Sequence, residues 1–114
     1  MSKKIYLPFS LNDIPDPGSR SFSINDERSE IAGFVVHKGQ QLFAYHNQCP
    51  HTGVTLNWTE NVFLDADDSQ IQCAMHGALF TIEEGRCIWG PCLGESLEKL
   101  EIEVDHSGSI FIEV

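Results

Sequence analysis

Basic residues are scarce in this chain: seven Lys and Arg stand against 17 Asp and Glu, a formal net charge of −10 over 114 residues. That deficit excludes the basic face which nucleic-acid phosphates or an anionic membrane surface require, and it favours an electropositive protein as partner. Long apolar runs are missing too. No stretch approaches the ~20 apolar residues of a membrane helix, and MSKKIYLPF has basic residues without the apolar segment of an export signal. A soluble, unsecreted, cytoplasmic protein is expected. Low-complexity tracts, repeats and linkers are absent, no helical period is sustained, and the length is too small for a cofactor domain beside a substrate domain. One domain over residues 1–114 is the expectation. Without an export signal, the four cysteines read as thiols or metal ligands rather than as two disulfides.

What the chain does contain is strand pattern. β-Branched and aromatic residues recur in short runs: SRSFSI (19–24), IAGFVVHKG (31–39) and QLFAYHN (41–47), the last two joined at Lys38-Gly39-Gln40. SQIQC (69–73) and ALFTIEEGRCIWG (78–90) predict a second short meander turning at EEG. LEKLEIEV (97–104) turns at DHSG and returns as SIFIEV, a hairpin. The fold class is mostly β, an antiparallel sandwich or small barrel. DIPDPGSR (13–20) is a proline- and glycine-rich approach to the first long strand. The acidic DADD (65–68) lacks the glycine and spaced carboxylates of a calcium loop and reads as a solvated turn.

Two stretches do not fit strand or core. NQCPHTGV (47–54) places Cys49 and His51 two positions apart; QCAMHGALF (72–80) places Cys73 and His76 three apart, with 21 residues between the pairs. Singly, each is a small buried hydrophobe or a surface histidine. Together they form two loops, each offering a thiolate and an imidazole and each relieved by a glycine, Gly53 or Gly77, which suits a metal wrapped by backbone. Zinc is the plain competitor, yet structural zinc takes C-x₂₋₄-C and H-x₃₋₅-H pairs, whereas both pairs here are mixed. The segments 49–59, 73–82 and 87–94 contain no acidic or basic residue, so whatever they build has an electrically quiet surface.

C-x-H in one loop and C-x-x-H in a second resemble the Rieske [2Fe–2S] proteins, in which two histidines replace two cysteines on one iron. CPHTGVTL is similar to the family's C-x-H-x-G-x-x-L, CAMHGALF to its C-x-x-H-G-x-x-F, and GPCLGESL (90–97) to its Gly-Pro loop. The resemblance runs from about residue 4 to the C-terminus. It implies an antiparallel β sandwich with a small cluster-binding subdomain, and one [2Fe–2S] cluster held by Cys49, His51, Cys73 and His76. It also implies cluster loops at about 47–58, 72–80 and 88–94, with Gly53, Gly77, Ala78, Phe80, Gly90 and Pro91 around the ligands. In the family the histidine-bound iron is the outer one, so His51 and His76 would be the electron port. His46, His37 and His106 read as strand-end, turn or surface residues, and Trp58 and Trp89 as packing residues, Trp89 also placed to edge the cluster. Cys87 and Cys92 lie outside the ligand positions and read as buried thiols, with a redox-sensitive pair as the alternative.

The donor set itself favours electron transfer. Two thiolates neutralise the 2+ of an oxidised [2Fe–2S] core where four would leave it at −2, so histidine ligation raises the reduction potential. The resemblance implies a one-electron carrier passing electrons from a reductase to an oxygenase or other terminal enzyme, with no catalytic activity of its own. A small subunit of a larger oxidoreductase, as in nitrite reductase, is the second reading; a structural zinc module is the third. Relative to the respiratory branch of the family, Val54 and Met75 stand where a disulfide would form, and Ala78 and Phe80 stand where Ser and Tyr hydroxyls would be. A potential at the low end for such centres is expected.

Overall fold

The Lys38-Gly39-Gln40 turn sets the geometry of the main sheet. The structure is a computed structural model, and it describes residues 4–25, 30–48, 50, 56, 61–74 and 77–113. Strands β3 (Glu30–Lys38) and β4 (Gln41–His46) pair antiparallel with Lys38 opposite Gln41. Gly39 and Gln40 are left as a two-residue loop with φ of +60° and +66°. Two left-handed residues make the hairpin turn whose twist matches that of its strands. Asp16 braces it from outside, accepting the N–H of Gly39 at 3.0 Å and of Gln40 at 2.8 Å. These bonds, the Gln40 one foremost, hold the Asp16 carboxyl below its usual range.

Strands β1 (Lys4–Ser10), β2 (Gly18–Asn25), β8 (Lys99–Val104) and β9 (Ser109–Glu113) complete a six-stranded antiparallel sheet in the order β1-β9-β8-β4-β3-β2. The sheet curls until its edges approach. Arg20 of β2 lies 4.7 Å over the Phe9 ring of β1, and Leu7, Phe9 and Phe22 share one apolar cluster. Three short strands, β5 (Ile71–Gln72), β6 (Leu79–Phe80) and β7 (Cys87–Trp89), form a second sheet in chain order. This mostly antiparallel β barrel-like sheet with a small three-stranded unit is the expected class. The expected runs 69–73 and 78–90 contain these strands, but each is only two or three residues long. β1 was not foreseen. Its alternation of Ile5, Leu7 and Phe9 is a strand signal, and its register against β9 shifts between Tyr6 and Ser10, the stretch that holds Pro8, as an edge strand tolerates.

β3 feeds two cores because it is covered on both faces. Ile31 and Val35 join Ala44, Leu100, Ile110 and Ile112 inside the curled sheet. Phe34 and Val36 face the other way and meet Ile71, Phe80, Ile82, Cys87 and Leu97 of the small unit. Phe34 stacks on Phe63 with ring centroids 4.2 Å apart. Tyr45 crosses the boundary: its buried hydroxyl donates to the Ile82 carbonyl at 2.5 Å. Burial pushes that phenol's pKa up, with Glu83 and Glu84 adding to the effect. Gly85 has no room for a side chain, since a Cβ there would fall 2.6 Å from the Tyr45 ring.

Candidate metal centre

Cys73 follows directly on β5 and its side chain is fully buried. The Cys73 N–H donates to the Ala78 carbonyl and the Gly77 N–H to the Cys73 carbonyl, both at 2.8 Å. These bonds pin Cys73 to Gly77 and Ala78, which lead into β6. Gly77 takes φ +69°, a conformation that favours glycine. A C-x-x-H pair held this way has its cysteine fixed at the base. His76 itself lies outside the described residues.

The first motif loop is anchored at both ends. The Asn47 side-chain oxygen accepts the Leu56 N–H at 2.9 Å, closing the segment that carries Cys49 and His51. The Leu56 carbonyl then accepts the Ala74 N–H at 2.7 Å, tying that segment to the second loop. Leu56 is fully buried and Asn47 continues the strand ladder through its N–H to Ala32. Cys49, His51, Gly53 and Trp58 fall outside the described residues, so Cys73 is the one expected ligand among those described. The clamp of Asn47, Leu56 and Ala74 was not foreseen from sequence. The only signal was an Asn just before the first pair, a residue type that readily satisfies loop backbone.

The expected third loop packs on the second. Gly90 has φ +112°, and a Cβ there would sit 2.8 Å from Ala78 Cα and 2.9 Å from Ala78 Cβ. Only glycine permits this approach. Ala78 and Phe80 are fully buried, Phe80 within the core between the sheets, while Pro91 is exposed. Trp89 corrects its packing assignment: it is 60% exposed, with one ring edge 3.7 Å from where a Gly77 Cβ would be. Ile88 and Leu93 of the same uncharged segment, 87–94, are also exposed apolar residues. A buried sulfur donor at the base of a glycine-shaped loop, walled by a second glycine loop, in segments 73–82 and 87–94 that contain no acidic or basic residue, fits a neutral iron–sulfur centre.

The other singled-out residues lie elsewhere. Cys87 and Cys92 are buried, as expected. His37 departs from its surface reading; its side chain is only 13% exposed and its Nδ1 lies 3.0 Å from the Ile14 carbonyl. His46 is half-buried at the end of β4, and His106 is exposed in the turn between β8 and β9. The Asp65 carboxylate closes the acidic turn by accepting the N–H of Ser69 and of Gln70, and the Asp68 N–H donates to the Asp65 carbonyl, so DADD is a turn held by Asp65.

The family model described as the Rieske [2Fe-2S] domain matches residues 8–104. No curated protein matches the chain. Among solved structures, the ferredoxin of carbazole 1,9a-dioxygenase from Nocardioides aromaticivorans IC177 is similar with a TM-score of 0.72 and 19% identity over 96% of each chain. A ferredoxin from Sphingomonas yanoikuyae B1 gives 0.71 and 20%, covering 98% of this chain and 99% of its own. A putative NADH-dependent nitrite reductase small subunit from Mycobacterium tuberculosis gives 0.70 and 16%, over 100% of this chain and 96% of its own. At these identities the likeness establishes the fold. The matched span contains both Cys-His pairs and the third loop, and the chain belongs to the Rieske [2Fe–2S] domain family, whose defining group is one [2Fe–2S] cluster.

Proposed function

We propose that this protein is a Rieske-type ferredoxin, a one-electron carrier between a reductase and an oxygenase or other terminal enzyme. The observation that carries the reading is the joining of the two motif segments through hydrogen bonds of Asn47, Leu56 and Ala74. Cys49 and Cys73 would hold the inner iron, and His51 and His76 the outer one. When bound, the cluster supplies a single reversible electron at a site of low net charge. The chain's own residues do the rest. The loop about Cys73 fixes one ligand, Gly90 on Ala78 closes the site from the third loop, and the exposed Trp89, Leu93 and Ile88 offer a partner a dry surface. A partner docking there would desolvate no charge, while the net charge of −10 would steer it from a distance.

The ferredoxin reading has support in the ferredoxins among the similar structures, one of which is a complex of reduced oxygenase and oxidised ferredoxin in carbazole 1,9a-dioxygenase. The nitrite reductase small subunit among the similar folds favours a second reading, a fixed subunit of a larger oxidoreductase. In either role the protein works in a reducing, cytoplasmic compartment, without nucleic acid or membrane as partner. No helix among the described residues is long and apolar enough to cross a membrane.

The test is spectroscopic. Purified protein should show the visible absorption and, once reduced, the paramagnetic resonance of a histidine-ligated [2Fe–2S] cluster. Replacing Cys49, His51, Cys73 or His76 singly with alanine should abolish both. A wild-type protein holding only zinc, or a coloured protein with all four replaced, would overturn the assignment. Turnover on adding the free protein to a separately purified reductase and oxygenase would favour the carrier over the fixed subunit.

A further inference from the structure

Cys87 and Cys92 bracket the third loop, and neither belongs to a ligand pair. β7 carries Cys87 inward to 2% exposure, and Cys92 is 1% exposed. The Cys87 N–H donates to the Glu95 carbonyl and the Glu95 N–H to the Cys92 carbonyl, both at 2.9 Å, so the chain doubles back on itself. The two sulfurs meet. They are 3.1 Å apart, and Cys87 Sγ also lies 3.4 Å from the Trp89 carbonyl oxygen. That separation is about 1 Å beyond a disulfide bond, for which S–S is ~2.05 Å.

Two small apolar residues would fill the same space, but two thiols in contact can also be oxidised together. We propose that Cys87 and Cys92 form a second redox site: a dithiol that exchanges with low-molecular-weight disulfides to give a reversible intramolecular disulfide across residues 88–91. Cys92 is the point of entry. It sits in a turn between the exposed residues Pro91, Leu93 and Gly94, closed by the Leu93 N–H on the Gly90 carbonyl at 3.2 Å. Opening this turn presents Cys92 without unpairing β7, which holds Cys87.

The Cys92 thiol gives up its proton and attacks one sulfur of the external disulfide; the external S–S bond breaks and one thiolate leaves, taking up that proton. Cys87 then loses its proton and attacks the Cys92 sulfur of the mixed disulfide. The second external thiolate leaves and is protonated in turn. One external disulfide has been reduced to two thiols, and two protein thiols have been oxidised to one disulfide, with two electrons passed between them. This site is a two-electron couple and does not depend on the cluster being present. Its oxidation would tie the loop whose Gly90 lies on Ala78 and whose Trp89 overlies Gly77, so it reaches the second motif loop by direct contact.

Trypsin cleaves after Arg86 and Lys99, which leaves both cysteines on one peptide, 87–99. The purified holoprotein is equilibrated in glutathione buffers of graded oxidation, quenched in acid, denatured, alkylated with iodoacetamide and mapped by mass. Peptide 87–99 should pass from the doubly alkylated form to an unalkylated form lacking two hydrogens, and dithiothreitol should reverse it. Because the thiols are held in contact, the internal disulfide should exceed the glutathione mixed disulfide at least about tenfold. A peptide doubly alkylated at every ratio, a persistent mixed disulfide, or a disulfide formed only after the native circular dichroism is lost would each overturn the proposal. Cys87→Ser should trap the mixed disulfide on Cys92, and an unmodified Cys92 in that variant would overturn the order of attack. Should that variant fail to fold, the wild-type titration decides alone.

Discussion

Replacing Gly90 by alanine tests whether the third loop holds the second in place. At φ +112° an L residue strains the backbone, a cost of about 1–2 kcal/mol. The added Cβ would lie 2.8 Å from Ala78 Cα, a backbone atom of a fully buried residue, so no flexible side-chain end can give way. Bringing that contact to 3.4 Å parts the two loops by roughly 0.6 Å, and overpacking of this kind costs about 1–3 kcal/mol. Gly90→Ala should therefore destabilise the protein by about 2–5 kcal/mol. Gly94 supplies the control. It has φ +94° with nothing within 4 Å of a Cβ, so Gly94→Ala carries the backbone strain alone. Urea unfolding of the two variants, followed by circular dichroism, should differ by the steric part, about 1–3 kcal/mol. Visible absorbance should fall with Gly90→Ala and persist with Gly94→Ala. Equal destabilisation of the two variants, or full cluster retention in Gly90→Ala, would refute the reasoning that contact between the loops matters.

Tyr45→Phe should lower stability by about 1–3 kcal/mol in urea unfolding, because the buried Ile82 carbonyl loses its hydroxyl donor; an unchanged midpoint would mean that water replaces it. Asp16 has a folded-state pKa below its ordinary 3.8. Its contribution is therefore present above that pH and lost as pH falls through the folded value, and Asp16→Asn should flatten the acid limb of a stability profile while leaving its shape above pH 5 alone. Protein-film voltammetry should place the midpoint near the low end of the roughly −150 to +300 mV spanned by Rieske centres, since Ala78 offers no hydroxyl to the cluster sulfur. Ala78→Ser should raise it, whereas Phe80→Tyr would first have to accommodate a hydroxyl in the core between the sheets.

Sequence carried the family's two Cys-His motifs because each is local: a cysteine and a histidine at fixed spacing are visible in the sequence itself. The β3–β4 and β8–β9 hairpins were legible for the same reason, as turn residues lie between alternating runs. The contacts that shape the site are between distant segments and left no pattern. Tyr45 and Ile82 are 37 positions apart, and Gly85 is glycine because of the ring that Tyr45 places against it. Trp89 misled because aromatic size suggests burial, yet β7 is the outer strand of a three-stranded sheet and turns only Cys87 inward. Residue type alone gave no means to choose between zinc and an iron–sulfur cluster for two thiols and two imidazoles; the mixed pairing within each loop did, and that pairing matters only once both loops meet. Asn47, Leu56 and Ala74 make them meet through two hydrogen bonds, one of them backbone to backbone, to which any residue but proline contributes equally. The chemistry of the centre is thus written in side chains, and its assembly largely in main chain, which is why the first was readable and the second was not.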